Sequence, residues 1–139
     1  MAKQELDNLV SIGRLKAEAA ARNEFDGMVK SARRGLADAQ NESIETDSQF
    51  DLAVEAAHKF ALAALRREGY RSDNRVTVFQ ALVHTLGTSN ADLQVFLKAH
   101  NERNLAAYEG RIDIDEKLLA DLIGATKKLE TAVGKLARP

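Results

Sequence analysis

The sequence predicts an all-α fold, an up-and-down bundle of five or six helices, and three observations carry that expectation. The only proline is Pro139, so nothing inside the chain forces a helix to break. Alanine, leucine, glutamate, lysine and arginine, all strong helix formers, dominate the composition. Apolar residues recur at steps of three and four, separated by short polar or glycine-bearing breaks. A chain of 139 residues fits one domain with a core of its own. Residues 1–22 read as an N-terminal helix and extension, and residues 23–139 as the bundle domain.

Leu6, Leu9, Val10 and Leu15 mark a short first helix over residues 3–14. The Ala-rich stretch Ala17 to Arg22 fits either a continuation of that helix or a connector. A second helix is expected from about Asn23 to Gln40, with Asn23 as N-cap and Glu24 and Asp26 in the first turn, where carboxylates suit the helix dipole. Phe25, Met28, Val29, Ala32, Leu36 and Ala39 share one face, with Lys30, Arg33 and Arg34 on another. Gly35 weakens this helix or lets a neighbour approach. After a polar loop at Asn41 to Thr46, a long helix runs from about Asp47 to Glu68. Phe50, Ala53, Val54, Ala57, Ala61, Ala64 and Leu65 form one apolar stripe, and Leu52, Ala56, Phe60 and Ala63 a second. A helix apolar on two sides belongs in the middle of a bundle. Gly69 ends it, just after Arg66 and Arg67.

Arg71 to Asn74 reads as a polar turn. Val76, Phe79, Leu82, Val83 and Leu86 then mark a helix ending at Gly87. Ser89 with Asp92 three residues on is a helix start. The helix it opens carries Leu93, Phe96, Leu97, His100, Asn104 and Ala107 along one face and ends at Gly110. Ile112 and Ile114 read as an extended connector. The last helix, about Asp115 to Leu136, places Leu118, Leu122, Ala125, Leu129, Ala132 and Leu136 in a packing seam.

Composition narrows the function. With no cysteine, disulfides and thiolate zinc sites are excluded, and a cytoplasmic setting is the expectation. Twenty basic residues against 21 acidic ones give a net charge of −1, so no global field draws nucleic acid. No apolar run approaches the ~18 residues of a membrane helix. The N-terminus lacks the apolar core of a signal peptide. His58, His84 and His100 include no i, i+4 pair that would set two metal ligands on one helical face, so no metal site is expected. No serine sits in a glycine-flanked elbow, and no glycine loop could cradle phosphates.

Two constellations remain. Lys59, Arg66, Arg67, Arg71 and Arg75 surround Tyr70 at the end of the long helix. That grouping is compatible with RNA contact through an exposed aromatic and phosphate-binding arginines, or with a solvated helix end favoured by the dipole. The second is Arg103-Asn-Leu-Ala-Ala-Tyr-Glu-Gly110, with His100 one turn before Arg103. Arg103 is suited to hold a phosphate-like anion with its guanidinium fork. His100 can carry a proton near neutral pH, whereas Tyr108, a phenol of ordinary pKa ~10, is a poor base there. The plainer alternative makes His100 and Asn104 paired core groups and Arg103 a salt-bridge partner.

Phe50-Asp-Leu-Ala-Val-Glu-Ala-Ala-His58, Ala63-Ala-Leu-Arg-Arg-Glu-Gly-Tyr-Arg71, Val78-Phe-Gln-Ala-Leu-Val-His-Thr-Leu86 and Arg103 to Gly110, taken together in this order, resemble the HEPN superfamily over about residues 25 to 135. The likeness is strongest to small stand-alone bacterial members with no assigned function. It implies a HEPN-like helical bundle that commonly dimerises. In active members, an arginine, a following polar residue and a histidine four to six positions on cut RNA without a metal or other cofactor. Several are toxins restrained by a nucleotidyltransferase partner, and others are binding modules without activity. By this resemblance Arg103 matches the motif arginine and Asn104 the polar residue, and Tyr108 stands in place of the histidine. His100 precedes the arginine instead of following it. Loss of that imidazole removes general acid–base help worth about 10²–10⁴ in rate, so weak or absent ribonuclease activity is implied. The expectation is therefore a homodimeric binding or regulatory module with a site at Arg103, Asn104 and Tyr108 for RNA or a nucleotide. A place in a toxin–antitoxin system with a nucleotidyltransferase-type partner is implied as well. The alternatives are a metal-independent ribonuclease using Arg103 with His100 or Tyr108, and a purely structural interaction protein.

Overall fold

The computed structural model describes residues 2–110 and 114–139. Helices α1 (Ala2–Ser11), α2 (Arg22–Ala39), α3 (Thr46–Arg67), α4 (Arg75–Gln80), α5 (Leu82–Thr85), α6 (Asn90–Glu109) and α7 (Glu116–Gly134) account for most of it. A two-stranded antiparallel ladder pairs β1 (Lys16–Ala17) with β2 (Tyr70–Arg71). The protein is all-α apart from that ladder. No helix among the described residues is long and apolar enough to cross a membrane.

The doubly apolar α3 lies at the centre and packs against α2, α7, α4, α6 and α5. Its alanines explain how one helix serves so many neighbours. Ala53, Ala56, Ala57, Ala61, Ala63 and Ala64 are almost wholly buried, and small side chains let other helices come close. A Cβ added at Gly35 of α2 would touch Ala56 at 3.6 Å, so the α2–α3 contact is close there. Phe50, Phe60, Phe79 and Phe96 fill the space between helices. Each contributes about 1.5–3 kcal/mol by leaving water. Phe79 and Phe96 stack with centroids 5.5 Å apart and so lock α4 to α6.

Local signals set the boundaries. Ser89 accepts a hydrogen bond from the Asp92 amide, Asn74 from Thr77, and Asp115 from Lys117 and Leu118. Gly69, Gly87 and Gly110 follow helix ends with positive φ, as C-terminal glycines do. Three expectations need correction. Helix α2 starts at Arg22 behind Ala21, and Asn23 instead accepts from the neighbouring Glu24 amide. The helix expected up to Gly87 turns at Ala81 into two short pieces, leaving Val76 and Val83 exposed. The polar turn expected from Arg71 begins only after it, because Tyr70–Arg71 form β2, and of the two readings open for Ala17 to Arg22 the connector holds, running from β1 to α2. The Ile112 part of the expected extended connector lies outside the described residues.

Residues 2–22 are tied firmly to the rest. Leu6 and Leu15 are buried in the same core as the bundle helices. Arg66, 4% exposed, gathers the connector: it donates to both Glu24 oxygens and to the carbonyls of Glu18, Ala19 and Tyr70. All five N–H groups of its fork are thereby used. Tyr70, 2% exposed, donates its hydroxyl to Asp7 of α1. That bond, with burial, pushes the Tyr70 phenol up to about 12.

Candidate functional site

The basic cluster around Tyr70 does not form an RNA-stacking surface. Tyr70 is buried, Arg66 is spent on Glu24 and backbone carbonyls, and Lys59 donates to Ser31. Arg67 bonds Glu68 and the Ala137 carbonyl, while Arg71 pairs with Glu18 and Asp73. The aromatic was expected outside because arginines flank it. Its ring instead belongs to the core, with the hydroxyl donating to Asp7 of α1.

Arg75 alone of that cluster joins the second constellation. The Asn74 cap sets Arg75 as the first residue of α4, where it donates to both oxygens of Glu55 at 2.8 and 3.4 Å. Arg103, three turns into α6, donates to the same Glu55 Oε1 at 2.5 Å. Its Nε stands 3.4 Å from Asp51. Two guanidinium groups from separate helices thus converge on one carboxylate of the central helix. Burial opposes ionisation of Glu55, but the hydrogen bonds from Arg75 and Arg103 outweigh it and hold its carboxyl below the ordinary value. The grip on Glu55 is tight, whereas Asp51 is 59% exposed and holds Arg103 only as a looser ion pair.

Behind the arginines lie two imidazoles and a phenyl ring. His58 meets the Phe79 ring edge-on at 5.9 Å, and His100 lies 6.3 Å from it on another side. Burial, reinforced by the charge of Arg75, lowers His58 to about 4. Burial and then Arg75 and Arg103 lower His100 as well. Both rings are neutral at pH 7. His100 Nε2 faces the Asn104 amide at 3.3 Å, and its Nδ1 is buried without a hydrogen-bond partner among the described residues. A histidine so held is a weak base, and at neutral pH it carries no proton to donate as an imidazolium.

The expected site residues therefore separate into two groups. His100, Arg103 and Asn104 share one side of α6 and meet α3 and α4 through Phe79 and Glu55. Tyr108 is 94% exposed and does not converge with them. Five residues at about 100° each put it roughly 140° round the helix from Arg103. Within one chain the Arg-x4-Tyr spacing does not make a pocket. Asp51, Glu55 and His58 complete the constellation and were not singled out as a group in the sequence. Their signal was present: a polar row at i, i+4, i+7 on an otherwise apolar helix. Among the described residues, no group of three or more His, Asp or Glu side chains is placed to hold a metal ion. Comparison with protein-family models, with curated proteins and with solved structures finds no match for the chain.

Proposed function

We propose that the chain is a HEPN-like binding or regulatory module whose anion site is the Arg75–Arg103 pair, ordered by Glu55 and screened by Asp51. The observation that carries this reading is the convergence of two arginines on one carboxylate, with both side chains still about a third exposed. Glu55 cancels one of the two charges. Among the described residues the second is met by Asp51 alone, through an exposed contact of a kind worth about 0–1 kcal/mol. A phosphate group replaces such a partner at little cost and gains bidentate hydrogen bonds. RNA or a nucleotide is the ligand class. Asn104, one helical turn from His100, adds an amide at the rim.

The ribonuclease reading has less support. Tyr108 points away from Arg103, and the neighbouring imidazoles are neutral and only partly exposed. Homodimerisation stays part of the proposal. Leu105 and Tyr108, exposed near the end of α6, give two copies an apolar surface to share.

A labelled single-stranded RNA titrated in EDTA tests the proposal. Wild-type protein binds without cleaving, and Arg103→Ala weakens binding while changing the melting temperature little. Equal binding by that variant refutes the site. A large fall in melting temperature with no effect on binding makes Arg103 a purely structural group. Cleavage abolished by Arg103→Ala establishes the enzyme instead.

A further inference from the structure

A second charged surface lies away from Arg103, around Leu136 at the end of α7. Two open grooves border this residue. One, of about 550 Å³, runs between α7 and the α5 end, with Leu86 and Ala132 in its floor and Lys127, Lys128 and Lys135 on its rim. The other, of about 490 Å³, lies between α7 and α2, with Phe25, Val29 and Val133 in its floor and Lys30, Arg33 and Arg138 on its rim. Six cations and one carboxylate, Asp26, therefore surround two grooves with apolar floors on a chain whose net charge is −1.

Three of these cations have acidic partners. Lys128 pairs with Asp92, Arg138 with Asp26, and Arg33 with Glu130 at 3.9 Å. Lys30, Lys127 and Lys135 have no ion-pair or side-chain hydrogen-bond partner among the described residues. Thr85, whose hydroxyl is buried and unpartnered, also borders the first groove. Unpaired lysines on the rim of an apolar floor match an occupant that is itself apolar on one side and acidic on the other.

We infer that the surface of α7 around Leu136, where it borders the α5 end on one side and α2 on the other, is a docking surface for an acidic amphipathic segment of a partner protein. Apolar side chains of the segment lie in the two grooves on either side of Leu136, and its carboxylates meet Lys30, Lys127 and Lys135. A nucleic acid fits less well. Phosphates gain nothing from an apolar floor, and the aromatic at these grooves, Phe25, is buried and offers no stacking face. This inference is independent of the Arg75–Arg103 site.

The test uses a fluorescent synthetic peptide with leucines at i, i+3 and i+4 and glutamates elsewhere. Its control has every glutamate replaced by glutamine, and a single-stranded RNA is titrated in parallel. Fluorescence anisotropy reads binding, and thermal melting checks that each variant is folded. Lys127 and Lys135 are exposed, so K127E/K135E leaves the fold intact, and K30E probes the second groove separately. The acidic peptide binds the wild type more tightly than the control. K127E/K135E weakens it by about tenfold or more, as two reversed surface charge pairs require. K30E weakens it to a lesser degree, and Arg103→Ala leaves it unchanged. Equal binding of acidic and control peptides overturns the inference. So does indifference to K127E/K135E, or RNA binding through these lysines in preference to the peptide.

Discussion

Replacing Arg66 by methionine is expected to remove the largest single polar contribution to the fold. The guanidinium is 4% exposed and uses all five N–H groups, two on Glu24 and one each on the carbonyls of Glu18, Ala19 and Tyr70. Methionine keeps most of the packing volume but strands Glu24 and three carbonyls. Glu24 remains partly exposed and rehydrates at modest cost. The carbonyls sit where the connector closes over α3 and rehydrate less easily. Breaking a buried charged pair costs about 3–5 kcal/mol. For a chain of this length that lowers the melting temperature by roughly 10–20 °C. Arg66→Lys keeps the charge, but a single ammonium cannot span the same partners, and about 2–3 kcal/mol is lost. Thermal and urea denaturation followed by circular dichroism give both values. Since Arg66 joins the connector to α3, a double-mutant cycle with Glu24→Gln should show strong coupling. A loss under about 1 kcal/mol in Arg66→Met refutes the reasoning, for it would mean that the fork is hydrated and the connector held by packing alone.

Protonation of His58 should destabilise the protein. Its pKa is near 4 when folded and 6.5 when free, so between these values the unfolded chain holds more protons and stability rises with pH. The contribution is fully present above about pH 6.5 and is lost as pH falls toward 4, up to about 3 kcal/mol. Urea midpoints across pH 4–7 measure it, and His58→Leu should flatten that part of the profile. Below about pH 4.5 the lowered carboxyls of Glu24 and Glu55 add a further loss of the same sign. Phe79→Ala, which empties the contact between both imidazoles and Phe96, should cost about 3–5 kcal/mol in urea denaturation. Tyr108→Ala should leave stability within about 0.5 kcal/mol and RNA affinity of the monomer unchanged, because the side chain is almost fully exposed and faces away from Arg103. A large effect on either readout would place the phenol in a site that a single chain does not build.

What could be read in the sequence follows from the range of each signal. Helix α3 was legible because its two apolar stripes repeat over six turns, and α6 because Ser89 and Gly110 mark its ends. The β1–β2 ladder was not, since two residues per strand give no alternation to detect. Tyr70 looked exposed because its neighbours are arginines, yet its environment is set by Asp7, 63 residues away. Arg66 looked like part of a basic patch, and only Glu24, 42 residues away, makes it a core group. The site behaved in the same way. Arg103, Asn104 and His100 stood out through local spacing. The carboxylates that decide whether Arg103 can take an anion lie about 50 residues earlier, on a helix whose strong apolar pattern masks its polar row.

In the proposed site Asp51 is an exchangeable screen over the anion position and Glu55 its fixed frame. RNA affinity of Asp51→Asn, measured in the wild-type and in the Arg103→Ala background at the same salt, tests it most directly. Removing the screen should tighten binding by up to about fivefold in the wild type, the worth of an exposed ion pair, and by nothing once Arg103 is gone. Equal affinity of Asp51→Asn and wild type, or the same gain in both backgrounds, contradicts it.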